Sequence, residues 1–312
     1  MRDKAAFARH HPALCLAPGL FLSLKKGARE TGGEPRVLAT QTLDGAEHIF
    51  EGPGPLGVDD LRALQGVYML ASRPSSNVSL ETSAPRSETG LALAAGLEVQ
   101  AAPGEPTRAK FLTCSMASVA DAAGYDGSAG GPRRLMAEAL DRLSEIRVSV
   151  VRDGVVLVRS RLLAKSPLLG TDEGGSRDTT ALALAPPLST VVLTGARGVR
   201  HCRLEWSEIS ALGTGGAIRA LHQRLCAFVD PGKAHKVALR TLLRYAYGET
   251  DVRNTARRRA SDVRAAMAEI GTLPGWRVSD YGEEGEARVF LVRRPAARHP
   301  GDDAGTETPP SA

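Results

Sequence analysis

Two valine-rich runs, Arg147–Arg152 and Val155–Leu163, meet at Asp153-Gly154. An Asp-Gly pair suits a two-residue turn with positive φ, so the runs are predicted to fold back as a β-hairpin. Three helical patterns precede it. Asp59 or Asp60 caps a helix to Ala71, with Leu61, Leu64, Val67, Met69 and Leu70 as its apolar residues. Ser115–Ala123 reads as a short helix ended by Gly124. Gly130, Gly131 and Pro132 introduce a longer helix to about Glu145, with Leu135, Met136, Ala139, Leu140 and Leu143 on one side. Helix, helix, helix, hairpin is the order of a winged helix.

The order recurs further along. Thr214–Val229 is a helix with Ile218, Leu221, Leu225 and Phe228 facing a core. Asp230-Pro231-Gly232-Lys233 is a turn. Val237–Tyr247 and Asp251 to about Leu273 are the next two helices, and Trp276–Ser279 with Ala287–Val292 is the closing hairpin. The predicted fold is α+β: two tandem winged-helix domains with an N-terminal arm and a disordered C-terminal tail. Residues 1–58 are the arm, loosely structured and packing on the first domain, 59–185. Within that domain, 72–90 is a polar, mobile insertion and Thr180–Leu184 a strand. Residues 186–213 connect it to the second domain, 214–294, and 295–312 form the Pro-, Gly- and acid-rich tail.

Charge separates the two units. Between Thr214 and Arg294 there are fifteen Lys+Arg against nine Asp+Glu, a net +6 where the whole chain carries +5. Five arginines and one acid fall between Arg253 and Arg264. Stepping about 100° per residue places Val252, Ala256, Val263, Met267 and Ile270 on one stripe, the core face. Asn254, Arg258 and Ser261 lie opposite, with Arg253, Arg257 and Arg264 on the shoulder. Arg259 falls on the core side and is expected to snorkel or to pair with an acid. An arginine fork grips guanine N7 and O6, or a phosphate, with two hydrogen bonds, and Asn254 can grip adenine the same way. Only Asp262 and Glu269 are available on that helix to neutralise it. Double-stranded DNA is therefore the expected partner, with Lys233, Lys236 and Arg240 placed for backbone contacts.

The first unit is a poorer base reader. Glu138, Asp141 and Glu145 share the exposed face of its third helix with Arg134. Its hairpin carries Arg147, Arg152, Arg159 and Arg161, followed by Lys165, so the unit is expected to touch backbone through this wing or to serve in dimer formation. Glu283, Glu284 and Glu286 keep the second wing's tip away from phosphates.

Other chemistry finds little support. Gly232-Lys233 lacks the rest of a P-loop. Cys15, Cys114, Cys202 and Cys226 form no C-x-x-C pair and are read as small buried residues. His222 is read as a packed histidine, and Tyr245 and Tyr247 as packing residues rather than nucleophiles. No catalytic pair, metal site or cofactor is expected, and the chain is not expected to be an enzyme. No signal peptide opens it and no stretch approaches a membrane span, so a cytoplasmic location is expected.

Several blocks carry a family resemblance. They are Cys15-Leu-Ala-Pro-Gly-Leu-Phe21 with Leu24-Lys25, the run from Gly54 to Arg62 with Leu64-Gln65-Gly66, Leu221-His-Gln-Arg-Leu-Cys226, and Asp230-Pro-Gly-Lys233. With Arg257-Arg-Arg259 followed by Val263-Arg264, the sequence resembles the IncQ-type plasmid replication initiator, replication protein C, from about His10 to Val292. The resemblance implies a non-enzymatic initiator that binds directly repeated sites (iterons) at a plasmid origin. Such a protein helps open the duplex and loads a plasmid-encoded helicase, with a primase acting afterwards. A winged-helix transcriptional repressor and an origin-nicking enzyme are the alternatives.

Overall fold

The computed structural model describes residues 7–24, 33–72, 87–105, 107–167, 179–193, 200–213, 215–248, 253–284 and 287–296. Within the predicted insertion, residues 73–86 lie outside this set, as does the predicted tail from 297 onward. The fold is mixed α+β, and every strand pairing within its sheets is antiparallel.

The described residues among the first 58 are not a loose arm. β1 (Phe7–His10) and α1 (Pro12–Leu16) are followed by β2 (Arg36–Leu43) and β3 (Ala46–Gly52). β2 and β3 form a hairpin closed by Asp44 and Gly45, both at positive φ (52° and 76°). This is the same Asp-Gly chemistry that closes β6 (Arg147–Arg152) on β7 (Val155–Arg161), where Asp153 and Gly154 sit at 50° and 76°. The two hairpins join edge to edge, because β3 pairs with β6. With β4 (Gln100–Ala101) on the far side of β7, the sheet has the order β2-β3-β6-β7-β4. The β6–β7 hairpin expected as a wing lies inside a five-stranded sheet, with both of its edges paired.

Among the described residues, four further helices complete the first unit. α2 (Val58–Ala71) starts at Gly57, whose N–H donates to the Asp60 carboxylate at 2.6 Å. α3 (Glu88–Gly96) occupies the end of the predicted polar insertion, and β5 (Lys110–Ser115) leads into α4 (Met116–Ala122). Gly124, at φ +79°, ends that helix, and α5 (Gly130–Ser144) follows. Met136, Ala139, Leu140 and Leu143 of α5 are fully buried, the apolar side expected of it. β8 (Leu163–Pro167) and β9 (Thr179–Leu184) form a second sheet with β5, ordered β5-β9-β8.

The stretch expected to be a connector is structured. α6 (Pro186–Leu193), β10 (Cys202–Glu205) and α7 (Trp206–Ala211) occupy it, and β10 pairs with β1. The second unit runs α8 (Gly216–Phe228), β11 (Ala234–Ala238), α9 (Leu239–Tyr247), α10 (Arg253–Gly271), β12 (Arg277–Glu284) and β13 (Ala287–Arg293). Its sheet has the order β11-β13-β12. The helix predicted from Val237 begins two residues later, because Ala234–Ala238 pairs with β13 first.

One apolar core spans both units. Leu64 and Tyr68 of α2, Leu140 of α5, Leu221 and Leu225 of α8 and Met267 of α10 all belong to it. The N-terminal segment is part of the seam: the Ser23 N–H donates to the Ala246 carbonyl at 2.7 Å, and the Tyr245 hydroxyl donates to the Leu16 carbonyl. All four cysteines are free and buried.

Candidate nucleic-acid interface

The C-terminal part of α10 is a conventional amphipathic helix. Val263, Ala266, Met267 and Ile270 recur at the i, i+3, i+4, i+7 spacing and are buried. Its first turns differ. Among the described side chains from Thr255 to Ser261 none is buried, so this end runs past the core. Ala256, expected on the core face, is exposed for that reason: its angle is right, but no core lies beneath it.

Arg257, Arg258, Ser261 and Arg264 are all exposed. The side chains of Arg253 and Asn254 lie outside the described set, so their expected roles are untouched here. Arg259 turns the other way, half-buried, its guanidinium 5.0 Å from the centre of the Tyr247 ring. The acids of α10 are engaged elsewhere. Asp262 accepts from the Tyr247 hydroxyl at 3.2 Å, and Glu269 accepts from the Gly213 N–H at 2.9 Å. Among the described residues no ion pair engages Arg257 or Arg258, whereas Arg264 lies within electrostatic reach of Asp280.

The expected backbone-contact residues fall on three neighbouring elements. Lys233 is exposed in the turn before β11, where Gly232 takes φ +79° and the Arg294 N–H closes onto the Lys233 carbonyl at 3.1 Å. Lys236 is exposed on β11, its ammonium 4.1 Å from the centre of the Tyr281 ring. Arg240 is exposed on α9. Arg244, one turn further along α9, is exposed beside it. The four-residue spacing from Arg240 identifies it as a companion the sequence reading leaves out.

The first unit is different electrically. Glu98 binds both Arg147 and Arg161, at 2.7 and 2.6 Å. Hydrogen bonds from Arg161 and then Arg147 hold its carboxyl below the usual carboxylate range. Arg159 pairs with Glu51 at 2.9 Å. On α5, Arg134 pairs with Glu138, and Lys165 reaches Asp141. Arg152, at the hairpin tip, is exposed. The structure thus separates the candidates: three of the four hairpin arginines are held by acids, while Arg257 and Arg258 of α10 are in no ion pair among the described residues.

Both tyrosines weighed as nucleophiles make packing contacts. The Tyr245 ring lies 4.2 Å below the Arg224 guanidinium with its hydroxyl tied to Leu16, and Tyr247 joins Asp262 to Arg259. Among the described residues, no helix is long and apolar enough to cross a membrane.

The profile of the family described as replication protein C (RepC) matches residues 2–295. The chain belongs to the RepC family. The structure is also similar to a crystal structure of domains 2 and 3 of RctB, with TM-score 0.54 and 12% identity over 89% of this chain and 95% of that one. At that identity the likeness is one of fold. No curated protein matches the sequence. The family match agrees with the sequence blocks around Cys15, Gly54, Leu221 and Asp230.

Proposed function

We propose that this RepC-family chain is a non-enzymatic plasmid replication initiator that binds directly repeated origin DNA. The observation that carries this reading is the start of α10. Arg257 and Arg258 are exposed on a helix end that projects past the core, and Asp262 and Glu269 of the same helix are hydrogen-bonded to Tyr247 and Gly213. Helix, strand, helix, helix and a two-stranded hairpin is the order of a winged helix, with α10 as its reading helix. Arg257, Arg258, Ser261 and Arg264 would face the major groove, with Arg253 and Asn254 at its leading end. Lys233, Lys236, Arg240 and Arg244 would hold phosphates.

The first unit, read as the first winged helix of the tandem, takes a different part. Arg152 at its tip is suited to backbone, and the paired sheet to positioning or to dimer formation. The chain would help open the adjacent duplex and load a plasmid-encoded helicase that supplies the energy for unwinding, with a primase acting afterwards, consistent with a sequence in which no P-loop is legible. Gel shifts with a tract of origin direct repeats test the reading. Arg257→Ala and Arg258→Ala are each expected to weaken specific binding by about 1–3 kcal/mol. Unchanged affinity in the double variant would assign base reading elsewhere.

A further inference from the structure

The Leu221-His-Gln-Arg-Leu-Cys226 block is a hallmark of the sequence, yet the DNA reading leaves it without a role. α8 places His222 and Cys226 one turn apart on the same face, and α7 brings Glu208 against them. The His222 Nε2 lies 3.0 Å from Glu208 Oε2 and 3.5 Å from Cys226 Sγ, and all three donor atoms fall within 4.8 Å of one another. Each residue is at most 4% exposed. We infer that Glu208, His222 and Cys226 form a binding site for one divalent transition-metal ion of the zinc type.

The geometry fits such an ion. Zinc bonds of about 2.0–2.3 Å in a tetrahedron separate the ligand atoms by roughly 3.3–3.6 Å, against the 3.0 and 3.5 Å separations about His222 Nε2 and a third pair within 4.8 Å. One imidazole nitrogen faces both the carboxylate and the thiol. A single proton lies best along one of those directions, whereas a cation between the three groups bonds to all of them. The donor set also selects the metal. Thiolate with imidazole favours zinc and its neighbours over magnesium or calcium, which take oxygen ligands.

The surroundings orient the ligands. The Trp276 indole N–H donates to Glu208 Oε1 at 2.7 Å, leaving Oε2 turned toward His222. Arg294 donates to the Cys226 carbonyl at 2.6 Å and fixes the end of α8. A cleft of about 150 Å³, lined by Arg203, Glu205, Ser207, Glu208 and Pro231 among others, reaches Glu208 from outside. The ion would clamp α7, in the link between the two units, onto α8.

Cobalt is the probe. The full chain, dialysed against metal-free buffer, is titrated with Co²⁺ and then with Zn²⁺, and zinc is measured separately by elemental analysis. The expected result is one equivalent of metal, a thiolate-to-cobalt charge-transfer band, its loss on adding zinc, and a melting temperature that rises with free zinc. Cys226→Ser should abolish the band. Glu208→Gln, which preserves side-chain size and an acceptor for Trp276, should weaken binding by tenfold or more while the chain stays folded. A folded wild-type chain without the band, or a band that survives in folded Cys226→Ser, overturns the proposal. Should Cys226→Ser not fold, undiminished metal affinity in Glu208→Gln does so. None of these readouts involves DNA, so failure here leaves the origin-binding reading standing.

Discussion

Arg257, Arg258 and Arg259 are consecutive, and the helix sends them to different surroundings. That division was legible from the 100° step alone, because direction around a helix is a property of spacing. The extent of the core was not legible: Ala256 sits at the right angle on a turn with no body beneath it. Arg259→Ala is expected to lower stability by about 1 kcal/mol through lost contact with Tyr247. Urea midpoints check this, and specific DNA affinity should change less than for Arg257→Ala. His10 supplies a second residue-scale prediction. It is fully buried beside Tyr68, with ring centroids 4.2 Å apart, and neither ring nitrogen has a hydrogen-bond partner among the described residues. Burial lowers its pKa from 6.5 to about 3; burial and then His48 do the same for His11. Below the unfolded value the unfolded chain takes up a proton that the folded chain refuses. Stability therefore falls as the pH drops from 6.5 toward 3, by about 1.4 kcal/mol per pH unit for each such histidine. His10→Phe should reduce that slope. Unfolding free energies at about pH 7 and about pH 5 measure it, and an identical slope in the variant would remove His10 as a cause.

Elements were most legible where turn chemistry and apolar periodicity agreed. α5, with Gly-Gly-Pro at its start and Met136, Ala139, Leu140 and Leu143 on one side, is the clearest case. The hairpin at Asp44-Gly45 bears the same signal as that at Asp153-Gly154, but surrounding glycines and prolines conceal it. β11 escaped for a different reason: its first three residues are exposed, so the run carries no alternation. Close approach of helices was not legible at all. A Cβ on Gly66 of α2 would lie 2.8 Å from the Val119 carbonyl oxygen and 3.1 Å from the Ala123 nitrogen, both backbone atoms of the α4 region. Gly66→Ala must push the two helices apart. Although alanine is the better helix former, overpacking of this kind costs about 1–3 kcal/mol. A lowered melting temperature is expected, and a raised one would show that the crossing yields more easily than its backbone contacts imply.

At the scale of the whole molecule, the two units share a core instead of meeting as separate bodies. Gln65 of α2 donates to Gln223 of α8 at 2.9 Å in a buried position, and β1 pairs with β10. The N-terminal segment strengthens this seam. Leu14, Leu20 and Phe21 are buried, the Leu22 N–H donates to the Leu56 carbonyl at 2.8 Å, and the Ser23 N–H to Ala246. One short stretch thus binds the start of α2 and the end of α9. Each buried large apolar side chain contributes about 1.5–3 kcal/mol, a sizeable share of the ~5–15 kcal/mol that stabilises a typical domain. Trp276 lies in the second unit and Trp206 in the link just after β10, so in a Trp206→Phe background the remaining fluorescence reports on the second unit alone. Two separate bodies would leave the tryptophan signal indifferent to the N-terminus. A shared core makes the opposite demand: deletion of residues 1–24 should shift the tryptophan-monitored urea transition to lower denaturant. In the intact chain that transition should coincide with the loss of helical circular dichroism, as one cooperative event. A tryptophan transition unmoved by the deletion would mean that the C-terminal unit holds together without the seam.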